Sequence, residues 1–150
     1  MNSEIDTCFK KYLSDSIVAI IDDAKSVRME LHAALQDSAS TDSVRVSKEI
    51  GGLVKFVILD DDSFLSDAPA KGLFRPWATI VYEGKKKKTV SVELDFGLWK
   101  WRIVDAERKV ICTRDMGKNK KQFFRIINTL FPENQKLKTY YEFVTKQQSL

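Results

Sequence analysis

Two kinds of residue in this chain have the types and spacing to do chemistry: carboxylates that can hold a hard cation and lysines that can hold an anion. Asp60, Asp61, Asp62 and Asp67 crowd one stretch, and Glu93 and Asp95 follow at alternate positions. Oxygen donors of this kind bind Mg²⁺, and Asp60–Asp62 with Glu93 and Asp95 would make a metal-dependent nuclease or phosphodiesterase site. The competing reading leaves the aspartates in a solvated turn and pairs Glu93 with Lys100 across a hairpin. On the cationic side, Lys85, Lys86, Lys87 and Lys88 follow Gly84 at a predicted hairpin tip, where four like charges must point into water. Arg75, Lys100, Arg102, Arg114, Lys118, Lys120, Lys121 and Arg125 lie in the same half. A lysine-rich tip suits a phosphate backbone, and Lys118, Lys120 and Lys121, just ahead of a helix N-terminus, suit the same polyanion. Lysines without paired bidentate geometry imply contact with the backbone and not base reading. The same run also serves solubility and guards a strand tip against edge pairing.

Other chemistries find little support. His32 is the single histidine, inside a predicted helix, so Ser-His-Asp or Cys-His catalysis would rest on it alone. Two cysteines and one histidine do not supply four zinc ligands without a carboxylate, and the spacings do not fit. The six glycines form neither G-x-G-x-x-G nor G-x-x-x-x-G-K-[ST]. The carboxylate pattern resembles nucleases that hold an acidic residue on one strand and a Glu-x-Lys on the next. It departs from them because Asp95, not lysine, stands two residues after Glu93. No catalytic residue, metal or cofactor is therefore assigned.

Charge is unevenly distributed. Against a net charge of +4, residues 1–69 carry 7 Lys and Arg with 13 Asp and Glu, and residues 70–150 carry 18 with 8. Such asymmetry points to a partner of one sign, or to an acidic half folded against a basic one. Trp99-Lys100-Trp101-Arg102 alternates aromatic and basic residues as single-strand stacking platforms do. The strand register argued below turns both tryptophans inward instead.

The elements that position these groups centre on residues 73–114, which read as four strands. Thr89, Ser91, Glu93 and Asp95 interleave with Val90, Val92, Leu94 and Phe96, and Trp99, Trp101 and Ile103 interleave with Lys100 and Arg102. With Phe96-Gly97 as a two-residue turn, Leu94 faces Trp99, Val92 faces Trp101 and Val90 faces Ile103. Leu73 to Glu83 reads as a strand that Pro76 places at an edge, and Val110 to Arg114 as another.

Upstream, Ser3 and Asp6 resemble a capping box. The stripe Ile5, Phe9, Leu13, Ile17, Ile20, Ala24, Val27, Leu31 and Leu35 predicts one long helix over 1–36, packed on the sheet. After a polar loop at 37–43, Val44 to Ile50 and Leu53 to Leu59 flank Gly51-Gly52 as a β-hairpin. Phe123 to Phe131, stopped by Pro132, and Leu137 to Val144 predict two C-terminal helices.

The fold class is therefore α+β, in a single domain over 1–150. A long N-terminal helix (1–36) packs on a five- or six-stranded antiparallel meander (44–114), with two helices in 118–148. Cys8 and Cys112 read as reduced thiols, and no apolar run approaches the roughly 20 residues of a membrane span. Both point to a cytoplasmic protein. The function expected is a non-enzymatic binding module whose basic half engages an anionic partner. Nucleic-acid backbone stands first, and an acidic protein surface, met as an inhibitor, immunity or adaptor protein, stands second. The candidate residues are Lys85, Lys86, Lys87, Lys88, Lys100, Arg102, Lys118, Lys120 and Lys121.

Overall fold

Alternation of apolar and polar residues builds the sheet, and the computed structural model describes it together with four helices over residues 15–33, 35–36, 42–58, 73–116 and 120–147. In chain order the elements are α1 (Asp15–Asp22), β1 (Ser26–Leu31), β2 (Ser43–Arg45), α2 (Lys48–Ile58), β3 (Ala78–Glu83), β4 (Thr89–Asp95), β5 (Lys100–Val104), β6 (Val110–Asp115), α3 (Lys120–Leu130) and α4 (Gln135–Gln147). The strands form one antiparallel sheet in the order β2-β1-β3-β4-β5-β6.

Cross-strand rows show why one face is the core. Met29, Ile80, Val92, Ile103 and Cys112 form one row, and Leu31, Ala78, Leu94, Trp101 and Arg114 the next. Ile17 and Ile21 of α1, Val54 of α2, Phe123, Phe124 and Ile127 of α3 and Leu137 of α4 join the same apolar cluster. Arg114 is buried on this inner face of an edge strand, its Nη1 donating to the Thr113 carbonyl at 2.6 Å. An inward charge of that kind discourages further strand pairing at the edge.

The single long helix over 1–36 is overturned beyond Asp22. Residues 1–14 lie outside the described residues, 15–22 are helical, and Ser26–Leu31 is an inner strand between β2 and β3. Val27, Leu31 and Leu35 fit helical spacing, but Val27, Met29 and Leu31 fit strand spacing equally well. Met29, which the helical stripe leaves out, is fully buried. Asp22 opposes the helix dipole and the last turn carries no basic residue, so no favourable charge marks the end of α1, and the chain leaves the helix where Ser26–Leu31 is taken into the sheet.

The hairpin around Gly51-Gly52 is also overturned. Only Ser43–Arg45 is strand, and Lys48–Ile58 is a helix with both glycines inside it. Ser47 Oγ accepts the Ile50 amide at 3.2 Å, an N-cap that a β-turn reading overlooks. Gly51 is buried close to Val27, whose Cγ2 lies 3.8 Å from where a Cβ would stand.

Within the meander the faces hold and the register moves by two. Leu94 pairs with Trp101 and Val92 with Ile103, and Glu93 faces Arg102, not Lys100. The turn comprises four residues, Phe96 to Trp99, because Asp95 Oδ1 accepts the amides of Gly97 at 2.8 Å and Leu98 at 3.0 Å. A shift of two preserves which side chains point inward. Trp99 consequently sits in the turn with φ 56°, half-buried, while Trp101 is in the core. β3 starts at Ala78, beyond Pro76, and is an inner strand, not an edge.

The two C-terminal helices stand as expected. Asn134 joins them: its Oδ1 caps α4 by accepting the Leu137 amide at 2.8 Å, and its Nδ2 donates to the Leu35 carbonyl at 2.7 Å. Among the described residues no helix is long and apolar enough to cross a membrane.

Candidate functional site

The lysine turn between β3 and β4 is tight. Gly84 N donates to the Lys88 carbonyl at 2.8 Å and Lys88 N to the Lys85 carbonyl at 3.2 Å, closing a single 3₁₀ turn over Lys85–Lys87. Lys86 adopts φ 59° and ψ 31°, the left-handed region, which costs a side-chain-bearing residue about 1 kcal/mol relative to glycine. Lys85, Lys86 and Lys88 are exposed. Lys87 belongs to the turn, and its side chain lies outside the described residues.

Beside the turn, the end of α1 packs over the sheet. Ile20 lies against Gly84, with its Cγ2 at 3.4 Å from the position a Cβ on that glycine would take. Between them is a depression of about 300 Å³ whose described lining residues are Ala19, Ile20, Asp23, Gly84, Lys85 and Lys88. Its floor is apolar, two lysines stand on one rim, and Asp23 stands on the other.

The remaining candidate cations lie elsewhere. Lys120 and Lys121 open α3, next to the β4–β5 turn, with Lys120 Nζ 5.1 Å from the centre of the Trp99 ring. That turn is at the opposite end of β4 from the lysine turn, roughly 20 Å away at the usual rise per residue. Lys100 is only 7% exposed. Arg102 Nε donates to Glu93 Oε1 at 2.6 Å, and its guanidinium lies 4.1 Å from the centre of the Phe74 ring, so its charge is used within the fold. Lys118 lies outside the described residues. The described members of the sequence-derived set are thus divided between the two ends and the outer face of the sheet.

Glu93 and Asp95, two of the carboxylates considered for metal chemistry, have other partners. Glu93 Oε2 also accepts from Arg108 Nη2 at 3.3 Å, and Asp95 Oδ2 accepts the Arg75 amide at 2.8 Å. Asp60, Asp61, Asp62 and Asp67 lie outside the described residues. Among the described residues no group of three His, Cys, Asp or Glu is placed to hold a metal ion. His32 Nε2 is 2.6 Å from Thr79 Oγ1, on the outer face one strand from Glu93.

Sequence reasoning missed Ala19, Ile20 and Asp23 as neighbours of the lysine turn, because they were read as part of a longer helix. It missed the turn built by Asp95, although Asp-x-Gly is a recognisable side-chain-capped turn pattern. No protein family, curated protein or solved structure matches the chain.

Proposed function

We propose that the protein is a binding module that docks an acidic protein surface through the lysine turn. The observation that carries this reading is the turn itself, with Lys85, Lys86 and Lys88 exposed side by side on a backbone closed by its own hydrogen bonds. Lys86 occupies a left-handed position where glycine fits with less strain, and strain of that kind accompanies functional turns. A preorganised turn loses little chain entropy when a partner is bound.

An acidic protein stands ahead of nucleic acid for two reasons. A polyanion tracked along its backbone needs cations in a continuous stripe, and the lysine turn and Lys120–Lys121 sit at opposite ends of β4. Asp23 beside Lys85 and Lys88 makes the rim mixed in sign, which suits a protein partner with complementary charges of both signs.

The test is fluorescence anisotropy of a labelled glutamate-rich peptide and of single- and double-stranded DNA and RNA, with the native chain and with Lys85 to Lys88 all changed to serine. The expected result is salt-sensitive peptide binding that the serine variant loses. Nucleic-acid binding that weakens about a hundredfold between about 50 and 200 mM salt, and exceeds peptide binding, would reverse the ranking. Binding of neither, or binding indifferent to the four serines, would end the reading.

A further inference from the structure

We infer that the depression between α1 and the lysine turn is an anchor site for one apolar side chain, so that the partner is an acidic peptide segment carrying an aliphatic or aromatic residue among its carboxylates. The inference rests on the docking reading above and specifies what is docked. At about 300 Å³ the depression lies at the lower end of the roughly 300–1,000 Å³ typical of ligand sites, a size for one or two side chains rather than a folded domain.

Its floor supplies the apolar contact. Ile20 packs closely on the buried Gly84, and the part of its side chain that stays accessible lines the depression together with Ala19. Its rims supply the polarity. Lys85 and Lys88 attract carboxylates on the turn side, while Asp23 repels them on the helix side. Of the neighbouring charges, Lys25 and Lys86 add to the first effect, and Asp22 and the half-buried Glu83 to the second. A bound segment is therefore oriented, with its apolar residue over Ile20 and its acidic residues toward the turn. A sugar–phosphate backbone offers charge but no aliphatic group to set on Ile20, whereas an acidic peptide offers both.

The test uses two labelled peptides of the same glutamate-rich sequence that differ only in a central leucine or serine. The full chain should bind the leucine peptide about tenfold more tightly, the effect of partly burying one aliphatic side chain. Ala19 is exposed on α1, so Ala19→Trp fills the depression from outside the core. That variant should bind both peptides at the serine level, and Asp23→Asn should tighten both about twofold. Equal affinity of the native chain for the two peptides overturns the anchor site while leaving the docking reading intact, and it needs no variant. A leucine advantage that survives Ala19→Trp in a protein that still melts cooperatively also overturns it. Binding of neither peptide overturns both inferences, and nucleic acid bound more tightly than the leucine peptide assigns the turn to a different class of partner.

Discussion

Arg102 Nε donates to Glu93 Oε1 at 2.6 Å across β4 and β5, and the carboxylate it meets is 2% exposed. A charge so far from water is tolerated only with its partner in place, so removing Arg102 leaves the Glu93 carboxylate buried with the exposed Arg108 alone. Arg102→Ala should therefore cost about 3 kcal/mol in urea unfolding. Arg108→Ala should cost less than about 0.5 kcal/mol, because the Arg108 side chain is 70% exposed and its attraction to Glu93 is screened. Comparable losses for the two variants would mean that Glu93 is not held as the geometry implies.

Asp95 organises the β4–β5 turn by accepting three backbone amides, those of Arg75, Gly97 and Leu98. Asp95→Ala strands all three donors and should destabilise by about 2–4 kcal/mol, since each charge-assisted bond is worth more than a neutral one. Asp95→Asn keeps one oxygen acceptor and should lose about half of that. Equilibrium unfolding of both variants checks the ranking, and an asparagine variant as unstable as the alanine one would contradict it.

These two residues also mark how far the sequence is legible. Strand pattern and inward faces are local properties, and the alternation from Thr89 to Asp95 carries them in full. Register is not carried by alternation: it depends on the length of the turn, and the two turn amides that Asp95 takes lengthen it to four residues and move the pairing by two. Val27 and Leu31 satisfy both helical and strand periods, so the choice falls to Met29 and to the β2 and β3 neighbours that bury it. The lysine turn is legible because four like charges must face water. The Ile20 floor beside it is not, because it arises where a helix meets a glycine far along the chain.

Tyr82 supplies a pH-dependent signature of the core. It is almost fully buried, its hydroxyl has no hydrogen-bond partner among the described residues, and burial pushes its phenol well above the usual tyrosine range. The unfolded chain ionises near the ordinary value of 10.0 while the folded chain stays protonated. The unfolded state therefore binds fewer protons above that pH, and stability falls as pH rises from there. Tyr82→Phe should remove this part of the alkaline loss. At neutral pH it should also stabilise the protein by about 1 kcal/mol, by deleting an unsatisfied polar group. Urea unfolding of both proteins from pH 7 upward to about one unit above the free tyrosine value checks this. Parallel curves across that range would show that Tyr82 does not carry the effect.

Lys86 separates the demands of folding from those of docking. Its φ of 59° is a conformation that glycine reaches without steric cost, whereas lysine brings a Cβ into the crowded left-handed region. Lys86→Gly relieves that strain but loosens the unfolded chain, so stability should stay level or rise by up to about 1 kcal/mol. Binding of the acidic peptide should fall severalfold at low salt, because one exposed cation is lost. Lys86→Asn tolerates the same backbone and should match glycine in both respects. Opposite signs in the two assays would place the lysine there for its charge. A stability loss beyond about 1 kcal/mol would instead assign it a structural role, and the docking reading would lose its central residue.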